Sequence, residues 1–219
     1  MKLRWKIGVA VILIFSFAVM PAVASESEFI LKELQRADWE VRLMNGAALE
    51  KMREPQSIET LIELIDNRRI DWRLQIRGIR LLGKIHTPRV EDFLLRLFSD
   101  AFFHHGCPAV RSSLALTLGN FSGPKVVTGL IEGLEDPELQ VREASIVSLG
   151  RIGDVAAVPY LIDQLKDMHF VIKVSAIRSL GLLRDARAVS SLEKIAGNAV
   201  EPLLKREASI ALSMIRRES

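Results

Sequence analysis

The sequence predicts an all-α fold, a right-handed superhelical solenoid of stacked antiparallel helix pairs, from three observations. A 12-residue segment recurs six times, at intervals of 31 to 36 residues. Within each copy the apolar residues follow the 3.6-residue period of one helix face. A second apolar stretch follows each of the first five copies. The chain has almost none of the strict apolar–polar alternation that predicts strands.

The recurring segment has three constant features and one frequent one. Position one is aliphatic, position nine is leucine and position twelve is large and apolar in all six copies. The copies are residues 41–52, 74–85, 110–121, 141–152, 172–183 and 204–215, and their position-nine leucines are Leu49, Leu82, Leu118, Leu149, Leu180 and Leu212. Position ten is glycine in four copies, at Gly83, Gly119, Gly150 and Gly181. Glycine there predicts a helix C-terminus.

Each copy is expected to pair with the apolar stretch that precedes it. The helix-pair units lie near residues 28–52, 57–85, 90–121, 126–152, 157–183 and 188–215, about five and a half repeats in a single domain over 25–219. Aspartates follow four of the preceding stretches as caps or turn residues, at Asp66, Asp100, Asp136 and Asp167. Because no helix pair buries its apolar face alone, the units must stack.

The segment VREASIVSLGRIGDVAAVPYLIDQLKD (141–167) carries a family resemblance. Its pattern V-R-x-x-A-x-x-x-L-G, followed by A-V-P-x-L and an aspartate, resembles HEAT repeats of the short bilin-lyase-like (PBS lyase HEAT-like) type. The resemblance extends over about residues 28–219 and implies a solenoid, but it specifies no task. The first copy departs from the pattern with Glu50 at position ten. The sixth has Ser213 there and no second helix after it, which predicts a C-terminal cap.

Residues 1–24 have the three-part layout of a secretory signal peptide. A basic start over residues 2–6 precedes an apolar run over 7–20, and small residues end the segment at Ala24. The run of 14 residues is shorter than the roughly 20 that a spanning helix needs, which favours cleavage before Ser25 over an uncleaved anchor. The expected location is periplasmic or secreted, with membrane contact only through this segment if it is kept.

Charge and cysteine content exclude several classes of protein. Residues 1–24 hold three of the 30 Lys and Arg residues and no acid, so the rest has 27 basic and 27 acidic residues. Together with the lack of an aromatic stacking platform, this balance gives no support for nucleic-acid binding. A single cysteine excludes a disulfide framework and a cysteine-rich zinc site.

Position two of the segment is basic in five copies and Gln75 in the other. These residues are Arg42, Arg111, Arg142, Lys173 and Lys205. We interpret them as a structural ladder rather than an anion site, because Asp38, Glu138 and Glu201 lie four residues before three of them. The family resemblance implies a second set of partners, the aspartates of the inter-helix turns.

Positions three and seven are expected to be the exposed positions of these helices, on the concave face. They combine apolar residues with arginine, the composition of many protein-binding surfaces. The pairs are Leu43 and Ala47, Ile76 and Arg80, Ser112 and Leu116, Glu143 and Val147, Val174 and Arg178, and Arg206 and Ile210. The predicted partner-binding residues are Arg80, Leu116, Glu143, Val147 and Arg178. Ordinary packing between helices is the alternative.

One loop, FFHHGCPAV, clusters His104, His105 and Cys107. Three ligands of these types in principle suit zinc or copper, but no second cysteine completes a site. We therefore interpret the loop as a surface insertion, and no cofactor is expected. Deoxyhypusine hydroxylase is built from similar repeats and holds two irons through His-Glu pairs. No histidine here is followed by glutamate.

The sequence thus predicts an exported, non-catalytic scaffold that binds a protein or peptide partner on its concave face. The alternative is an accessory subunit of an enzyme or a metal-linked protein, related to the bilin lyases or to deoxyhypusine hydroxylase but without the His-Glu ligands. Phycobilin lyase subunits act inside photosynthetic cells, which the predicted export signal disfavours. No phosphate-binding loop, nucleophile elbow or HExxH helix is present.

Overall fold

The computed structural model describes residues 26–67, 70–103 and 107–216, without the side chains of 101–103. The predicted signal peptide and the pair His104 and His105 lie outside these residues. Every regular element described is helical. Residues 26–35 form α1, followed by α2 (Trp39–Leu43), α3 (Gly46–Met52), α4 (Pro55–Asp66), α5 (Trp72–Leu82), α6 (Pro88–Phe103), α7 (Pro108–Leu118), α8 (Pro124–Glu132), α9 (Leu139–Ile152), α10 (Val158–Gln164), α11 (Phe170–Leu183), α12 (Val189–Asn198) and α13 (Pro202–Arg216). In the described ranges, no helix is long and apolar enough to span a bilayer.

The chain divides into two compact units, one up to Leu82 and one from Gly83 onwards. In the first unit, the copy 41–52 is interrupted, because α2 ends at Leu43 and α3 begins at Gly46, whose φ is +59°. The interruption changes which residues are buried. Val41 is 73% exposed although it holds a predicted core position, and Leu43 is 2% exposed although position three was expected to be exposed.

The second unit has two layers of helices. We call α7, α9, α11 and α13 the inner layer, since each packs along the next, and α6, α8, α10 and α12 the outer layer. Helix α6 packs directly on α8, and the later outer helices meet mainly through the 3-10 turns Val155–Ala157 and Ala186–Ala188. In a curved array the more closely packed layer lies on the concave side, so we expect the inner layer, whose helices pack more closely than the outer ones, on that side of this unit.

The position-nine leucines form the predicted core. Leu118, Leu149 and Leu180 are at most 1% exposed, and Leu212 in the last helix is 6% exposed. Leu82 in the first unit is also fully buried, whereas Leu49 in the interrupted copy is only half-buried. The helical period therefore assigned this face correctly in five copies.

The glycines at position ten mark a helix C-terminus, as predicted, in two of the four copies, and Gly83 is one of these because α5 ends at Leu82. Gly119 does cap α7, but Gly150 and Gly181 lie inside α9 and α11. These two helices end instead at left-handed residues, Gly153 with φ 80° and Arg184 with φ 52°. The predicted C-termini are therefore displaced by a few residues in two of the four copies.

Position ten of each inner helix faces position eight of the next one at very short range. A Cβ atom on Gly119 would lie 2.7 Å from Ser148 Oγ, and one on Gly150 would lie 2.5 Å from Ser179 Oγ. The two serine hydroxyls are buried, and they donate to the carbonyl oxygens of Ala115 (2.8 Å) and Ile146 (2.9 Å) in the preceding helix. Glycine is needed because it lets the helices approach until these hydrogen bonds form.

Gly150→Ala is expected to lower the free energy of unfolding by about 1–3 kcal/mol, because the added methyl group overpacks the interface. The new Cβ would lie 2.9 Å from Ser179 Cα, so α11 itself must shift. Gly197→Ala in α12 is the control, because no atom lies within 4 Å of its Cβ position. It should raise stability by about 0.5–1 kcal/mol through helix propensity. Urea titration measures both, and equal effects would contradict the tight contact.

Candidate functional site

The structure places two of the predicted ladder residues beside turn aspartates in the second unit. Arg111 Nη2 lies 2.9 Å from Asp136 Oδ1, and both side chains are at most 3% exposed. Arg142 Nη2 lies 3.5 Å from Asp167 Oδ2, with side-chain exposures of 13% and 16%. Each aspartate lies three residues before the first residue of an inner helix.

Each turn aspartate also organises its own turn. Asp136 Oδ1 accepts from the backbone N–H of Glu138 at 2.8 Å, and Asp167 Oδ1 accepts from that of His169 at 2.6 Å. The pKa of Asp167 lies below its ordinary value; burial opposes this, and hydrogen bonds from His169 together with the charge of Arg142 outweigh it. One carboxylate therefore joins the turn to the preceding inner helix.

Among the residues that the structure describes, the acids four residues upstream make no ion pair with the ladder residues. Glu138 is the N-cap of α9, with extended backbone angles of φ −87° and ψ 120°, so it lies off the helical lattice that brings residues i and i+4 together. Glu201 likewise precedes α13, which begins at Pro202. In the first unit, Arg42 pairs with Glu33, and Asp38 pairs with Arg36 at 3.1 Å. The hydrogen bond between Arg42 and Glu33 lowers the pKa of Glu33 and raises that of Arg42.

The series of ion pairs between ladder residues and turn aspartates does not continue at Lys173 among the described residues. Lys173 is half-buried in α11 and Lys205 is exposed in α13. In the described part of the chain neither makes an ion pair. The position equivalent to Asp136 and Asp167, three residues before α13, is Ala199.

Position seven forms a row along the inner layer, one residue from each helix. Leu116 and Ile210 are 41% and 47% exposed, Arg178 is exposed, and Val147 is half-buried. We call these four residues the position-seven row. It presents apolar surface and one arginine on the concave side of the second unit. The two other position-seven residues lie in the first unit. Ala47 is exposed in α3, and Arg80 pairs with Glu40 and lies over the Trp39 ring at 5.6 Å.

Position three is less uniform than predicted. Ser112 and Glu143 are half-buried and Arg206 is exposed, but Val174 is 7% exposed and belongs to the core. Glu143 accepts a hydrogen bond from Ser175 Oγ at 3.2 Å, which joins α9 to α11. A 3.6-residue period cannot keep two positions equally exposed when the contact between helices differs from copy to copy.

Two guanidinium groups share one carboxylate between α11 and α13. Arg178 Nε lies 2.9 Å from Glu207 Oε2, and Arg206 Nη2 lies 3.1 Å from Glu207 Oε1. The hydrogen bond from Arg178 contributes most to lowering the pKa of Glu207 to about 2, and the same contact raises the pKa of Arg178. Glu207 is therefore ionised at neutral pH, and the group of three has a net charge of +1.

Charge is segregated between the layers, a feature that the balanced total conceals. The four inner helices carry eight basic and two acidic residues. The other residues of 83–216 carry eight basic and thirteen acidic ones. The basic residues of the inner layer are Arg111, Arg142, Arg151, Lys173, Arg178, Lys205, Arg206 and Arg216. The sequence alone shows this segregation of charge once each helix is assigned to a layer.

The outer layer contains a cleft that sequence analysis missed. Its volume is about 240 Å³, and its lining includes Glu132, Glu135, Asp163 and the half-exposed ring of Tyr160. These residues come from successive repeats, and no short motif connects them. Cys107, the described member of the candidate metal loop, is exposed at the start of α7. Among the described residues, no three or more His, Cys, Asp or Glu side chains are arranged so that they could hold a metal ion.

Comparison with known proteins identifies the repeat. The family model described as HEAT repeats matches residues 27–103 and 97–173. A designed armadillo-repeat protein in complex with the peptide (KR)4 is 15% identical, with a TM-score of 0.58 over 85% of this chain and 98% of its own. The complex of CpcE and CpcF of phycocyanin lyase from Nostoc sp. PCC7120 is 21% identical, with a TM-score of 0.50 over 86% of this chain and 76% of its own.

Human deoxyhypusine hydroxylase in complex with glycerol is 16% identical, with a TM-score of 0.46 over 92% of this chain and 98% of its own. No curated protein matches the chain significantly. At these identities the likeness to the designed armadillo-repeat protein and to the complex of CpcE and CpcF shows the fold alone.

Proposed function

Since this chain belongs to the HEAT-repeat family, we propose that it is a non-catalytic scaffold that binds a protein or peptide partner. A helical repeat fold of this kind is compatible with such a scaffold. The binding surface we propose is the concave side of the second unit, centred on the position-seven row. Arg80 would contribute to the same task from the first unit.

The exposure of the position-seven row carries this proposal. Leu116 and Ile210 are large apolar side chains that remain more than 40% exposed on otherwise well-packed helices. Arginine is enriched at the energetic centres of protein interfaces, and exposed apolar side chains favour binding when a partner buries them. The neighbouring Glu143 and Arg178 are tied to adjacent helices by hydrogen bonds, so a partner would meet an ordered surface.

Two of the structural neighbours support a binding role by example. The designed armadillo-repeat protein is in complex with a peptide, and CpcE is in complex with CpcF. Because the likeness is of fold alone, neither name supplies the identity of a partner for this chain. We also propose that the protein is exported, on the layout of residues 1–24, and that the mature chain begins at Ser25.

Site-specific photo-crosslinking in the native cell tests this proposal. A crosslinking residue in place of Leu116 or Ile210 is expected to capture a partner in the periplasmic fraction. The crosslinked chain is expected to begin at Ser25. Tyr160 is the control, because it is 49% exposed on the outer layer. Arg178→Glu should reduce the yield at position 210, and Arg80→Glu reports whether the first unit contributes.

The pattern of crosslinks decides between the two surfaces. Capture from position 160 alone would overturn the concave site and would favour an accessory subunit docked through its outer layer. If wild type, Arg80→Glu and Arg178→Glu give equal crosslinking yields, neither arginine belongs to the binding surface. Recovery of a chain that retains residues 1–24 would contradict cleavage before Ser25.

A further inference from the structure

The repeat pattern of the second unit lacks one carboxylate. Arg111 pairs with Asp136 and Arg142 pairs with Asp167, in successive repeats. The next basic residue in this series is Lys173, and the residue in the equivalent turn is Ala199. Alanine supplies no carboxylate for the lysine and no side-chain acceptor for the N–H of Glu201, whose equivalents in the other two turns bond to the aspartate.

An excess of positive charge surrounds this position. Lys173 is half-buried, and Lys205 lies at the same repeat position in the adjoining helix α13. Among the residues that the structure describes, neither lysine forms an ion pair. Arg178 and Arg206 share the single carboxylate of Glu207. The five side chains together have a formal charge of +3, and the half-burial of Lys173 makes its own charge costly without a counter-charge.

We propose that the partner bound on the inner layer presents an acidic, extended segment, and that one of its carboxylates takes the place of the aspartate missing at position 199. This inference rests on the proposed function and adds the chemistry of the partner. The segment would cross from Lys173 on α11 towards Lys205 and Arg206 on α13. Its apolar side chains would contact Ile210 of the position-seven row.

The helix spacing predicts the spacing of the acidic residues. Equivalent residues on neighbouring packed helices lie about 8–10 Å apart. An extended chain advances about 3.3 Å per residue, so acidic residues two or three positions apart match that distance. Electrostatic complementarity of this kind selects the partner and accelerates its association, and added salt weakens it.

Fluorescence anisotropy with labelled octapeptides tests the sign of the charge. The acidic peptide (DE)4 is expected to bind the purified protein, more weakly as salt rises, whereas (KR)4 should not bind. Lys173→Glu with Lys205→Glu should weaken (DE)4 by about tenfold or more. Lys125→Glu with Lys194→Glu is the control, since it changes net charge equally on outer helices. An equal loss with the control pair would mean that net charge alone attracts the peptide, and would overturn the site.

Ala199→Asp tests the missing carboxylate directly. The variant should raise the melting temperature, because it completes the ion pair with Lys173 and the turn, and it should weaken (DE)4 by competing for the lysine. Ala199→Asn supplies the turn acceptor without the charge and should leave the peptide affinity unchanged. A higher melting temperature with unchanged (DE)4 affinity in Ala199→Asp would overturn Lys173 as the anchor.

Two further measurements distinguish an acidic peptide from a phosphate-bearing ligand, and the acidic partner from the concave binding surface. Binding of phosphatidylglycerol vesicles, with the same lysine dependence and without binding of (DE)4, would overturn the peptide in favour of phosphate groups. If crosslinks form at position 210 but (DE)4 does not bind, the acidic partner is wrong and the concave binding surface stands. If (DE)4 binds through Lys173 while crosslinks form only at position 160, the acid-binding site stands and the proposed function fails.

Discussion

Asp136→Ala is expected to lower the free energy of unfolding by about 3–5 kcal/mol, the cost of removing one partner of a buried ion pair. Asp136 has no exposed side-chain surface, and Arg111 is 3% exposed. The substitution leaves the guanidinium charge in place and removes its counter-charge. It also removes the acceptor for the N–H of Glu138, which lies at the N-terminus of α9. Chemical denaturation followed by circular dichroism measures the loss.

The next repeat supplies a matched control. Asp167 occupies the same position, but its pair with Arg142 is longer, at 3.5 Å, and both side chains are partly exposed. Asp167→Ala should cost about 1 kcal/mol, since solvent screens the remaining charge. Replacing both members of the buried pair, Arg111→Met with Asp136→Leu, should restore much of the stability. Equal losses in the two aspartate variants would show that burial does not determine the effect.

Leu149→Ala is expected to lower the free energy of unfolding by about 2–5 kcal/mol, because it opens a cavity in a packed core. Leu149 is 1% exposed in α9, the inner helix that packs against both α7 and α11. Since repeats are stabilised by their neighbours, the cavity should loosen both adjoining helices. Hydrogen exchange measures that spread as faster exchange in α7 and α11.

Leu182→Ala is the matched control for this substitution. Leu182 lies in α11 and is 54% exposed, so the same truncation should cost less than about 0.5 kcal/mol. A loss of under about 0.5 kcal/mol for Leu149→Ala would mean that the helix face assigned from the repeat is wrong.

The repeat period was sufficient to predict the helices and most of the core. Position nine is leucine in every copy, and burial selects for such regularity along one helix face. The period failed in the first copy, where Leu43 is buried and Val41 is exposed. A break between α2 and α3 rotates the chain out of register, and the dipeptide Asn45-Gly46, a strong turn signal, marks that break in the sequence.

The candidate site was only partly predictable, because its charges depend on contacts between repeats. The acids at i−4 were a local prediction, and it failed since Glu138 precedes the helix it was expected to pair with. The turn aspartates come from the next unit, and only the family resemblance pointed to them. The carboxylate missing at Ala199 can be recognised only once Asp136 and Asp167 are known to pair with Arg111 and Arg142.

The contact between glycine and serine makes the middle repeats interchangeable. The glycine at position ten of one inner helix contacts the serine at position eight of the next inner helix. Gly119 contacts Ser148 in this way, and Gly150 contacts Ser179. A duplicate of residues 141–171 inserted after residue 171 would form the same joint with both of its neighbours. The array can therefore grow or shrink by whole units without a new interface, which offers a simple genetic route to binding surfaces of different length.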